Sequence, residues 1–129
     1  MGEDPLDRER DSRPADQRPG PGGPCACFDA PHPTLLKDYL WLGMDSRYAE
    51  VSVLACRNCG QHWLRYFYEH QAFSSSGRWY LGPVTAGQLA GLTAEGAKSL
   101  LEGLDWYFYG GSYYGGRSGK ASGEILLFP

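Results

Sequence analysis

Long apolar runs are missing from this sequence. Nothing in it approaches the roughly 18 uninterrupted apolar residues that a spanning helix needs, so no membrane role is expected. The N-terminus is charged and no apolar stretch follows it, so there is no secretory signal pattern and a cytoplasmic location is expected. Excess positive charge is missing too. Lys and Arg number 12 against 15 Asp and Glu, a net charge of −3, and without a basic field bulk charge gives nucleic-acid binding no support. Aromatic residues are absent from positions 1–24, where Leu6 is the only large aliphatic among Pro5, Pro14, Pro19, Pro21, Pro24 and scattered charges. Such a segment buries too little apolar surface to offset its ordering entropy. Residues 1–24 are therefore expected to be a disordered tail and 25–129 a single small domain, in which 25–84 carries a metal site and sheet and 85–129 a helix and a Gly/Tyr-rich end. In so small a domain a bound metal can matter to stability.

Cysteine is scarce but placed with order. The only four stand in two pairs, Cys25-Ala26-Cys27 and Cys56-Arg57-Asn58-Cys59, the second followed by Gly60. Four thiolates are the ligand count of a closed tetrahedral zinc site. A C-x-x-C-G turn doubles the chain back so that both sulfurs can reach one ion, and the glycine permits the positive φ such a turn needs. In an extended C-x-C segment both side chains point to one side, so Cys25 and Cys27 can share that ion. In a reducing compartment, paired cysteines are more often metal ligands or catalytic thiols than structural disulfides. Two alternatives remain: disulfides, which need an oxidising compartment, and inert buried thiols, which would rarely fall into two pairs with none left over. Zinc suits four thiolates, and iron would also accept them.

The strand–knuckle–strand pattern around Cys56-Arg57-Asn58-Cys59-Gly60 resembles a zinc ribbon over roughly residues 25–84, although C-x-C departs from the usual C-x-x-C. The whole spacing, C-x-C then 28 residues then C-x-x-C, resembles the zinc-binding end of the redox-regulated heat-shock holdase chaperone, including Glu50-Val51 before the second pair. That resemblance implies the same four ligands, and disulfides in place of zinc on oxidation. The family's large chaperone body has no counterpart here.

Three histidines invite other chemistry. His62, three residues after Cys59, could replace one cysteine as a ligand; His32 stands between two prolines; His70 neighbours Glu69, but adjacent strand residues face opposite sides. No Ser/His/Asp grouping or carboxylate pair emerges from the spacing, so the sequence supports no enzyme reading. Gly115-Gly116-Arg117-Ser118-Gly119-Lys120 fails as a phosphate loop, because Tyr114 stands where glycine is needed and Ala121 where Ser or Thr is needed. It reads as a Gly-rich hairpin or loop.

Along the chain, Thr34 could cap a short helix through Tyr39, while Tyr39–Leu42 equally suits a strand, and Gly43 ends either. Residues 50–56 alternate as a strand, 62–70 are rich in β-formers with aromatics on both faces, and 78–84 read as the return strand after the Ser74–Gly77 turn. Together they predict an antiparallel meander with the cysteine turn at a hairpin tip. Thr93 as N-cap and the stripe Ala97, Leu100, Leu101, Leu104 predict one helix near 93–106, stopped by Gly110-Gly111. Ile125–Phe128 could add a strand.

The expected fold is α+β: a small zinc-ribbon-like antiparallel sheet with one main packed helix and a disordered N-terminal tail. The expected function is that of a metal-stabilised binding or adaptor module with structural zinc on Cys25, Cys27, Cys56 and Cys59. A protein partner is favoured over nucleic acid, because aromatics are 14% of the chain and cannot all be buried. The rival is a thiol redox switch, whose mark would be zinc release and a change of fold under mild peroxide. A nucleic-acid-binding zinc ribbon is a further alternative.

Overall fold

The computed structural model describes residues 25–31 and 34–127, so the expectation for residues 1–24, the reading of His32 and the end of the 125–128 segment lie outside the described residues. By its internal contacts the chain divides after His32. The described part of the first unit is a short 3-10 turn, Ala26–Phe28, closed by the Phe28 N–H on the Cys25 carbonyl at 3.0 Å.

The second unit is mostly sheet. Its strands are β1 (Leu36–Met44), β2 (Glu50–Cys56), β3 (His62–Tyr68), β4 (Arg78–Val84), β5 (Tyr107–Gly110) and β6 (Gly119–Ala121). They form one six-stranded antiparallel sheet in chain order, every strand pairing only with its sequence neighbours. Two short helices, α1 (Ala86–Leu89) and α2 (Ala97–Glu102), lie between β4 and β5. The architecture is therefore broadly α+β, with the sheet dominant.

The central strands follow from their patterning. Val51 and Val53 of β2 pair with Tyr66 and Leu64 of β3, which pair in turn with Tyr80 and Gly82 of β4. These residues share one face and form the main core with Val84, Tyr107, Ala97, Leu101 and Ile125. The other face buries Trp63, whose ring stacks on Phe108 at 5.6 Å and meets Trp106 edge-on at 6.0 Å. β3 is thus buried on both faces, as its two aromatic-bearing rows imply.

Where the chain departs from expectation, local chemistry explains it. From Leu36 the segment is strand rather than helix, and Gly43 does not end it: β1 runs through Gly43 to Met44. Register shifts between Asp38 and Leu40 and between Trp41 and Gly43 insert extra residues, and Gly43 adopts φ +108 to accommodate the second. The single helix near 93–106 is instead α2, preceded by α1. Thr85 caps α1 by a reciprocal pair of bonds with Gln88. Thr93 caps only a turn, accepting from the Gly96 N–H at 3.2 Å, and Gly96 then precedes α2. Trp106, read as the helix end, leads instead into strand β5. The last strand is β6 rather than Ile125–Phe128, and residues 125–127 are irregular. Ile125 is nevertheless buried, and its N–H is held by Glu102 at 2.8 Å.

Helix α2 reaches the sheet through a notch. A Cβ built on Gly82 would come within 2.5 Å of Leu104 Cδ1 and 2.7 Å of Leu101 Cδ2. Gly82→Ala should therefore push the leucines off the sheet and cost about 1–3 kcal/mol, read as a lower melting temperature; an unchanged melting temperature would show that α2 is not seated there.

The β1–β2 loop is organised by Asp45, a buried carboxylate. It accepts the N–H groups of Arg47 at 2.9 Å and Ala49 at 3.0 Å, and the Tyr66 hydroxyl donates to it from β3. Burial alone would raise its pKa, but the hydrogen bonds from Tyr66, Ala49 and Arg47 and the Arg47 charge outweigh burial and hold it below 3.8. A depressed carboxylate stabilises the fold above its unfolded pKa and loses that contribution as pH falls through the folded one. Denaturant midpoints should therefore drop with acid below about pH 4, and Asp45→Asn should flatten that limb; an Asn variant with the same acid limb would refute this role.

Candidate metal centre

The second cysteine pair occupies the β2–β3 turn. Cys56 ends β2, and the chain turns through exposed Arg57, Asn58, Cys59 and Gly60 before β3 begins at His62. Two backbone bonds close the turn: the Gly60 N–H on the Cys56 carbonyl and the Cys56 N–H on the Gln61 carbonyl, both 2.9 Å. Gly60 has φ +80, the left-handed conformation that a side chain would disfavour. The turn also brings the Asn58 N–H to 3.4 Å from Cys56 Sγ. An amide donated to sulfur stabilises negative charge on it, the state in which a cysteine binds metal.

The first pair is not in an extended segment, contrary to the geometry expected for C-x-C. Cys25 is extended, at φ −61 and ψ 155, and Cys27 lies inside the 3-10 turn.

The four sulfurs lie within 4.8 Å of one another. Sulfurs about 2.3 Å from a central ion would stand about 3.8 Å apart at tetrahedral corners. The cluster is therefore close to the size of a metal shell, and its donors are arranged to hold a metal ion. Cys27 and Cys56 are buried, Cys25 is half-buried and Cys59 is exposed. Four thiolate donors suit zinc and also iron.

The other residues raised by the sequence go elsewhere. His62 is not part of the cluster; its ring lies against Tyr39, centroids 4.5 Å apart. His70 packs edge-on against Phe73 at 4.7 Å, and its N–H is held by Ser76 at 2.9 Å. The two histidines flank opposite ends of β3, whose seven residues span about 20 Å at 3.3 Å per residue, so they do not converge. Gly119 and Lys120 belong to β6, where Lys120 Nζ sits 4.4 Å over the Trp106 ring.

The sequence reading missed the exposed apolar residues of β1 and its loop. Tyr39, Leu40, Trp41, Met44 and Tyr48 are all exposed, Trp41 at 59% and Tyr48 at 79%. A run of consecutive apolar residues in place of strict alternation was the available signal. Tyr48 also has φ +66, a conformation that costs a bulky residue about 1–2 kcal/mol relative to glycine.

No protein-family model, curated protein or solved structure matches the chain. No helix among the described residues is long and apolar enough to cross a membrane.

If the cluster holds a metal, purified protein should contain about one equivalent, measurable by atomic spectroscopy. Cys56→Ser should lose that metal and lower the melting temperature, since a metal shell contributes folding energy directly. Retained metal in the variant would break the four-ligand arrangement.

Proposed function

We propose that the chain is a metal-stabilised binding module, with Cys25, Cys27, Cys56 and Cys59 holding a structural zinc and β1 engaging a protein partner. The observation that carries the partner is the exposed apolar run on β1 and its following loop. β1 pairs only with β2, so its outer edge is open among the described residues. A long apolar edge is normally shortened, charged or covered. Here β6, the opposite edge, has three residues and carries Lys120, whereas β1 has nine and, after the charged Lys37 and Asp38 at its start, exposes Tyr39, Leu40, Trp41 and Met44. Trp41 faces the same side as its partner Ser52, while Tyr39 lies against His62 on the core side, so the apolar surface wraps both sides of the edge.

Tyr48 strengthens the reading. Glycine or asparagine would fit φ +66 with less strain, and the exposed ring recovers little by burial. Strain kept without a packing return points to a use of the side chain in solvent. Tyrosine and tryptophan are also frequent interface anchors.

A zinc with four thiolates has no open coordination position, which fits a structural ion rather than one that activates water. Bulk charge opposes nucleic acid, and on the Trp41 side of the sheet the Arg65 guanidinium already faces the charges of Glu50 and Asp38. The thiol-switch reading uses the same four cysteines and differs in its response to peroxide.

A photo-crosslinking residue placed at position 41 should trap a discrete protein adduct in cells, whereas one placed at Glu124, away from β1, should not. Tyr48→Gly should weaken that adduct while leaving the melting temperature equal or higher. Equal crosslinking from both positions, or none from position 41, would remove β1 as the partner surface.

A further inference from the structure

We infer that Cys59 is the point at which a soft carbon electrophile enters the cysteine cluster, making it a modification site distinct in kind from its three neighbours. The cluster is asymmetric. Cys27 and Cys56 are 0% and 3% exposed, Cys25 is half-buried, and Cys59 stands in the exposed tip of the β2–β3 turn. The whole tip, residues 57–60, is exposed, and a Cβ placed on Gly60 would meet nothing within 4 Å. Space for an approaching molecule therefore exists next to Cys59. Cys56, at the other end of the same turn, is buried, so an electrophile has no comparable approach to it. The thiolate is the nucleophile of cysteine chemistry, and access decides which of several thiolates reacts.

The step is a displacement. A lone pair on Cys59 Sγ forms the sulfur–carbon bond, the bond from that carbon to the leaving group breaks, and the leaving group departs with its electron pair. A neutral thioether replaces a thiolate. That sulfur loses its negative charge and most of its hold on a divalent ion, while the backbone bonds that close the turn, Gly60 to Cys56 and Cys56 to Gln61, involve no sulfur and are left in place. One covalent event thus alters the cluster without cutting the hairpin that carries it. The site of reaction follows from exposure alone; the accompanying loss of metal rests on the proposed zinc site.

The test uses the full chain as purified, its metal content measured first. Less than one equivalent of iodoacetamide is added, and adducts are mapped on peptides by mass spectrometry while a zinc-sensitive dye is followed. Cys59 should be modified about tenfold or more ahead of each of the other three, with zinc appearing in step. In denaturant with chelator the four should react alike, which shows that the folded turn creates the preference. A first adduct at Cys25, or equal rates at all four in the folded protein, would overturn the inference. Metal-free protein that still reacts first at Cys59 would overturn the zinc reading and leave this one standing. Metal-loaded protein that reacts elsewhere would do the reverse.

Discussion

The turn from Cys56 to Gly60 has to satisfy two geometries at once. It must join β2 to β3 in the register that sets Val51 against Tyr66 and Val53 against Leu64, and it must aim two sulfurs at one point. Both depend on the same backbone bonds and on the left-handed Gly60. A one-residue slip would turn the buried residues of β2 to the wrong face and move Cys56 off the turn. The core and the cysteine cluster therefore hold each other in register, and the sheet on either side is built outward from that hairpin.

Outward from it, the two faces are finished differently. One receives Leu101 of α2 and Leu104 just beyond it in the space left by Gly82, with Tyr80, Tyr107 and Ile125 around them. The other is closed by rings, Trp63 against Phe108 and Trp106, with Lys120 over the Trp106 ring. Most of the dense aromatics thus serve the core. Of the exposed ones, Tyr39, Trp41 and Tyr48 lie on β1 and its loop while Phe73 and Tyr113 lie elsewhere, and Asp45 with its hydrogen bonds keeps the β1–β2 loop in the shape that leaves Tyr48 outside.

The parts of this fold legible in the sequence are those whose local signals agree. In β2, β3 and β4, β-forming residues and flanking turn residues point the same way, and the strand ends fall at or within two residues of where those signals put them. The cysteine cluster was legible because two tight pairs leave few alternatives. β1 was obscured by its two bulges, which break the period-two pattern. β5 was hidden because Trp106–Tyr109 continues directly from the Leu stripe of α2, and no breaker other than Gly103 separates the two periods. β6, three residues with Lys120 between Gly119 and Ala121, has little strand propensity and is held by its pairing to β5. The Asp45 network could not be read at all, because it joins residues 21 positions apart through a side chain whose partner is chosen by the fold.

Strand order equal to chain order has a kinetic meaning. Every pair but β4–β5, which are separated by residues 85–106, can form as a hairpin from its own segment, which is the low contact-order route to a sheet. The distant closures that remain include a backbone one, the Tyr113 N–H on the Gly77 carbonyl at 2.8 Å, and side-chain ones, among them Ser46 to Glu95, 49 positions apart, and the meeting of the two cysteine pairs across 28 intervening residues. The β2–β3 turn is closed by local backbone bonds alone, so its two sulfurs are held side by side without any bond from the Cys25–Cys27 segment.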